Sequence, residues 1–119
     1  MKYIISESRL NKIIYKFLTS KFEPHEEKTS KNYPNSIFWV KGDEVIVEIE
    51  NSKKKNTSGP SQKIWVSAYI WDVTSDMFSL DYDETKLLIT HWLEEHYELG
   101  GLTTPIKKAN KYQWKGITL

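Results

Sequence analysis

Apolar residues spaced three and four positions apart predict a helix near the start of the chain. Residues at this spacing lie on one side of a helix with 3.6 residues per turn. The predicted helix runs from about Glu7 to Thr19; Ser6 can cap it, and Ile5 and Leu10 have the spacing of a hydrophobic staple. Its apolar stripe consists of Leu10, Ile13, Ile14, Phe17 and Leu18.

Two alternating segments predict a β-hairpin after a polar connector from Lys21 to Ser36. The segments Ser36–Val40 and Glu44–Glu50 flank Gly42, which can adopt the positive φ that a tight turn needs. Along the second segment apolar and acidic residues alternate, which predicts one face toward the core and one toward water. The apolar residues are Val45, Val47 and Ile49, and the acidic ones are Glu44, Glu48 and Glu50.

A third strand is predicted from Lys63 to Trp71, after a charged loop from Asn51 to Gln62. Because successive side chains of a strand point to opposite faces, alternate residues share a face. One face would carry Ile64, Val66, Ala68 and Ile70, and the other Trp65, Tyr69 and Trp71.

The C-terminal half predicts an irregular segment from Asp72 to Leu80, followed by a helix from Asp81 to Gly100-Gly101. Asp81 can cap this helix while Glu84 reaches back to the cap. Its apolar side would consist of Leu88, Ile89, Trp92, Leu93, His96 and Leu99. The tail after Pro105 offers an optional last strand through Tyr112, Trp114 and Ile117.

These elements predict an α+β fold with a small, mostly antiparallel sheet of three to four strands packed with two main helices. The order is α-β-β-β-α, with a final β left open. The 119 residues match the size of one domain, so residues 1–119 are expected to share one core. The predicted core combines Ile13, Ile14, Phe17, Leu18, Ile64, Val66, Ile70, Leu88 and Trp92.

The composition of the chain excludes several classes of chemistry and of partner. The chain has no cysteine, which excludes disulfides and thiolate catalysis, and no apolar run of the roughly 20 residues that cross a bilayer. We therefore expect a soluble, unsecreted protein without a membrane partner. Arg9 is the single arginine, and residues 72–98 hold eight acidic residues against Lys86. Such a chain has little capacity for bidentate phosphate recognition.

No residue pattern predicts catalysis or a cofactor. His91 and Glu95 lie one helical turn apart, but the spacing of His91 and His96 differs from that of helical zinc motifs, and no third ligand is evident. We expect His91 on the surface and His96 at the edge of the core. Serine nucleophile turns and glycine-rich phosphate loops are also missing.

Nucleic-acid binding has some support. Lys53, Lys54 and Lys55 lie in the charged loop, where flexible cations can contact phosphates, and bases stack on strand-borne aromatic rings. The acidic stretch 72–98 opposes this, since it would repel a polyanion.

The opening residues Met1–Leu10 resemble the start of short, uncharacterised proteins of tailed bacteriophages, especially T4-like marine phages. The segments Phe78–Glu84, Trp92–Glu95 and Tyr97–Leu99 are similar to later parts of such proteins. The resemblance implies a phage or phage-like origin, and hence the cytoplasm of an infected cell or the virion, and it implies no chemistry.

The leading hypothesis is a non-enzymatic phage accessory or virion-associated protein that acts by protein contact, through self-association or a host or phage partner. Its expected contact residues are Trp65, Tyr69 and Trp71; if a helix covers this face as well, the three rings belong to the core instead. The alternative is a single-stranded nucleic-acid-binding module that uses these aromatics with Lys53, Lys54 and Lys55, and third is a small metal-dependent hydrolase using His91 and Glu95. The leading hypothesis needs no metal, cofactor or small-molecule substrate.

Overall fold

The computed structural model describes residues 7–52, 61–96, 106–110 and 112–119. In chain order the elements are α1 (Glu7–Phe22), β1 (Glu26–Ser30), β2 (Tyr33–Lys41), β3 (Glu44–Ser52), β4 (Ser61–Val66), α2 (Ala68–Phe78), α3 (Tyr82–His96) and β5 (Ile106–Lys108).

The strands form one five-stranded sheet in the order β1-β2-β3-β4-β5. The pairs β1–β2, β2–β3 and β3–β4 are antiparallel, and β5 pairs with β4 in parallel. One face of the sheet packs against the helices. Its buried residues include Trp39, Val47, Ile64, Val66 and Ile106, and they share a core with Ile14, Leu18, Phe22, Ile70, Trp71, Ile89, Trp92 and Leu93 of the helices.

The α+β class with a mostly antiparallel sheet is confirmed, as are the first helix, the β2–β3 hairpin and the last helix. Gly42 has a φ of 64° in the hairpin turn. The capping box of α3 also forms, because Asp81 N–H donates to Glu84 at 3.0 Å and Glu84 N–H donates to Asp81 at 2.8 Å. Residues Ile5, Ser6, Gly100 and Gly101, expected at helix ends, lie outside the described residues.

The predicted connector between Lys21 and Ser36 contains a further strand, β1. Its first four residues, Glu26 to Thr29, are exposed, so they show no apolar alternation. Pairing with Phe38 and its neighbours in β2 defines the strand, while its charged side chains suit an edge that must avoid other chains. The sheet therefore has more strands than predicted.

The predicted third strand ends early. Strand β4 stops at Val66, and Ser67 caps α2 by accepting a hydrogen bond from Ile70 N–H at 3.5 Å. Buried α2 residues Ile70, Trp71 and Thr74 follow helical spacing, so the segment expected to be irregular is mostly helix. The alternation of aliphatic and aromatic residues past Val66 therefore does not indicate a strand there.

The optional last strand is also misplaced. Strand β5 comprises Ile106–Lys108, whereas residues 112–116 form turns. The turns form because backbone amides bond locally: Gln113 N–H donates to Asn110, Lys115 to Tyr112 and Ile117 to Trp114. We call Asn110 with residues 112–119 the C-terminal segment.

The core prediction is confirmed for most residues and wrong for Ile13. Ile14, Leu18, Ile64, Val66 and Trp92 are fully buried, Ile70 is nearly so, and Leu88 packs at the edge of the core. Phe17 is half-buried and meets Phe78 edge-on. Ile13 is 42% exposed, because α1 turns Ile14 and Leu18 toward the sheet. Among the described residues, no helix is sufficiently long and apolar to cross a membrane.

Two adjacent isoleucines of α1 test this orientation. Ile14→Ala should lower the free energy of unfolding by about 2–5 kcal/mol, because it leaves a cavity in the core. Ile13→Ala should cost about 1 kcal/mol or less, since the side chain already contacts water. Urea unfolding of both variants measures the difference; equal losses would contradict the orientation of α1.

Candidate functional site

The three aromatic residues expected on one face do not share it. Trp65 lies on the sheet face opposite the helices, which we call the outer face, between Glu48 and Lys107 of the neighbouring strands. Tyr69, in the first turn of α2, is 64% exposed, whereas Trp71 is 1% exposed and packs 4.9 Å from the ring of Tyr82. Residues two apart on a helix point roughly 200° apart, so the helix start at Ser67 separates Tyr69 from Trp71.

Tyr69 instead lines a cleft of about 410 Å³ at one end of the molecule. One wall is the β2–β3 turn with the start of α2, and the other is the C-terminal segment. The apolar lining residues are Val45, Ala68, Tyr69, Trp114, Ile117 and Leu119, and the polar ones are Asp43, Glu44, Ser67, Asn110 and Lys115. Two of the large apolar side chains, Tyr69 and the 42% exposed Leu119, remain accessible to a partner.

Charge is unevenly distributed around the cleft. Asp43 and Glu44 are exposed at the turn, and neither forms an ion pair with a described residue. On the other wall, the Lys115 ammonium lies 5.8 Å from the ring centroid of Tyr112. The cleft thus has a mixed apolar and polar lining, with two carboxylates at the turn and one lysine in the C-terminal segment.

Contacts with neighbouring elements fix the α2 side of the cleft. The Lys21 ammonium lies 5.9 Å from the ring centroid of Tyr69, which places the end of α1 beside the start of α2. Lys108, just before the C-terminal segment, forms an ion pair with Asp72. These contacts connect α1, α2 and β5 beside the cleft.

The histidines of α3 lie apart from this cleft. His91 is exposed, and the His96 ring stacks on Trp92 with centroids 4.3 Å apart, its Nδ1 lying 2.8 Å from Trp92 O. In the part of the chain that the structure describes, no three His, Cys, Asp or Glu residues come together as a metal site. His91 and Glu95 therefore gain no third ligand from the described residues.

A second, shallow cleft of about 400 Å³ lies between α1 and the end of α3, lined by Lys12, Tyr15, Lys16, Thr19 and His96. Burial raises the pKa of the Tyr15 phenol, and the nearby carboxylates of Glu95 and Glu94 raise it further. Two lysines line this cleft, and the carboxylates of Glu94 and Glu95 lie near its Tyr15.

The sequence did not predict the roles of two residues, Trp114 and Glu48. Trp114 lines the cleft, and its indole Nε1 donates to Glu48 of β3 at 2.7 Å. Glu48 was expected on a water-facing side, yet it is 7% exposed. Nothing in local spacing links residues this far apart. The lysines expected to contact nucleic acid, Lys53, Lys54 and Lys55, lie outside the described residues.

Comparisons with protein-family models, with curated proteins and with solved structures found no match for this chain.

The raised pKa of Tyr15 predicts a pH effect on stability. In the unfolded chain the phenol ionises near pH 10, below its folded pKa, so its stabilising contribution is full at lower pH and declines above about pH 10. Tyr15→Phe should make the loss of thermal stability above about pH 10 shallower than in the wild type. Melting temperatures across this range test it, and identical slopes would contradict it. Glu95→Gln should give an intermediate slope, because burial still raises the pKa of Tyr15 when the Glu95 charge is removed.

Proposed function

We propose that this protein acts without catalysis, by binding a short segment of another protein in the cleft beside Tyr69. The observation that carries the proposal is a large, exposed aromatic side chain lining a cleft that combines apolar and polar residues. Tyrosine supplies rigid contact area with a polar tip and is enriched among residues that dominate binding energy.

The charges of the cleft favour one kind of segment. An apolar side chain suits the part of the lining formed by Val45, Ala68 and Trp114. A neighbouring Lys or Arg of the partner would then face Asp43 and Glu44, whose carboxylates have no described cationic partner. The proposed occupant is therefore an apolar residue next to a basic one. Electrostatic complementarity would favour this basic residue over an acidic one at the same position.

The phage-like opening residues supply the proposed setting. A phage accessory or virion-associated protein that binds a host or phage protein would use such a cleft, whereas self-association would fill it with a second copy. Light scattering distinguishes a second copy from a different protein as the occupant.

Single-stranded nucleic acid is a weaker candidate. Of the three aromatics that it would use, Trp65 alone lies on the outer face of the sheet, between the Glu48 carboxylate and Lys107. A single ring flanked by charges of both signs offers neither the row of stacking aromatics nor the cationic track that suits a polyanion.

A displayed library of random peptides, selected on the purified protein, tests the proposal. Peptides that pair a large apolar residue with Lys or Arg should be enriched. Tyr69→Ala should weaken a selected peptide by roughly tenfold or more, because a central aromatic typically contributes about 2 kcal/mol. Met77→Ala is the matched control, since Met77 is 60% exposed on the same helix and does not line the cleft; it should leave binding unchanged.

Charge reversal tests the two carboxylates at the turn separately. Asp43→Lys with Glu44→Lys should weaken the same peptide and reduce its salt dependence, because the basic residue loses its partners. Glu27→Lys with Asp76→Lys makes the same change in net charge at exposed positions outside the cleft and should have a much smaller effect.

Three outcomes would overturn the proposal. The first is selected peptides that bind Tyr69→Ala as tightly as the wild type. The second is dimerisation in light scattering that Tyr69→Ala abolishes, which would make a second copy the occupant. The third is salt-dependent binding of an oligothymidylate without enrichment of any peptide, which would favour the nucleic-acid hypothesis.

A further inference from the structure

The Glu48 side chain is a buried carboxylate on the outer face of the sheet. It lies at the middle of β3, 7% exposed, with Phe38 and Trp65 as its cross-strand neighbours. No described Lys, Arg or His forms an ion pair with it. Burying a charge without a counterion is costly unless hydrogen bonds compensate.

Hydrogen bonds to Glu48 come from two parts of the chain. Ser36 Oγ of β2 donates to Oε2 at 2.9 Å. Trp114 Nε1 donates to Oε1 at 2.7 Å, and Gln113 Nε2 approaches the same oxygen at 3.4 Å. The sheet thus supplies one donor, and the C-terminal segment supplies the other two.

This division makes the contact reversible. If the C-terminal segment moves away, the donors of Gln113 and Trp114 are lost, but water reaches the carboxylate and replaces them. In a closed core, removing one partner is costly because it leaves a buried charge without a partner. Opening avoids this cost, because water then solvates the carboxylate. The segment can detach at a smaller free-energy cost than an element of the core.

We infer that the C-terminal segment alternates between a closed form, held on Glu48 through Trp114, and an open form, and that only the closed form contains the cleft. Trp114, Ile117 and Leu119 form one wall of that cleft, so the wall is present only while the segment is closed. The consequence for binding rests on the proposed function, whereas the closing contact does not. A partner that binds the closed form stabilises it, and its apparent affinity falls with the closed fraction.

Hydrogen exchange measured by mass spectrometry tests the closing contact without any partner. Trp114→Phe keeps a ring but removes the N–H donor, and Glu48→Gln keeps the shape of the acceptor but removes its charge. Each should raise the exchange rate of residues 112–119 by roughly tenfold, because exchange follows the open fraction and a charge-assisted hydrogen bond is lost. Exchange in α1 should stay at the wild-type rate.

Trp65→Phe is the matched control. It makes the same substitution on the same face, at an indole with no hydrogen bond to Glu48, and should leave exchange of residues 112–119 unchanged. Wild-type exchange in both Trp114→Phe and Glu48→Gln would overturn the closing contact. An equal rise in α1 would also overturn it, since Glu48 would then stabilise the whole fold.

A selected peptide tests the link to binding. At saturating concentration it should slow exchange of residues 112–119 in the wild type, because it binds the closed form. Unchanged exchange with the peptide bound would overturn the link and leave the closing contact intact. Failure to select any peptide would instead overturn the proposed function, while the exchange of Trp114→Phe still decides the closing contact.

Discussion

A continuous series of aromatic rings holds the two layers of this fold together. The ring of Phe22, at the end of α1, stacks on Trp92 of α3 at 4.7 Å and meets Trp39 of β2 edge-on at 6.4 Å. His25 extends the series from Trp39 at 4.2 Å, and His96 extends it from Trp92 at 4.3 Å. One series of contacts thus joins the sheet to two helices, and aromatic pairs of this geometry add to the free energy of simple burial.

The Trp92 indole of this cluster is also hydrogen-bonded. Trp92 Nε1 donates to Thr19 Oγ1 at 3.0 Å, and Thr19 in turn donates to the carbonyl of Tyr15 at 2.8 Å. Lys41 of the hairpin donates to the carbonyls of Ser20 and Glu23 at the end of α1, where a cation also interacts favourably with the helix dipole. The end of α1 is therefore the point at which hairpin, helices and ring series meet, and α2 packs beside it through Phe17 and Phe78.

Sequence reasoning succeeded where a signal is local and failed where it depends on distant residues. The α1 stripe and the Asp81–Glu84 capping box need only neighbours along the chain, so both helices were predicted. Strand β1 carries no apolar pattern because an edge strand is specified by its pairing partner. At Ser67 two signals compete, since alternation continues across it while its hydroxyl caps a helix, and the cap prevails because Ile70 and Trp71 then both reach the core. The burial of Glu48 depends on Trp114, which no local pattern connects to it.

The contrast between these two kinds of contact explains where a binding site can lie. Elements joined by the ring series are costly to separate, because opening them exposes large apolar surfaces to water. The opening proposed for the C-terminal segment needs less free energy, because the segment meets the sheet through a carboxylate that water can also solvate. The cleft combines the start of α2 at Tyr69, whose helix packs beside the ring series through Phe78, with a second wall, the C-terminal segment at Trp114. Such a wall can close on a partner without disturbing the core, because the ring series that holds α1, α3 and the sheet includes no residue of the C-terminal segment.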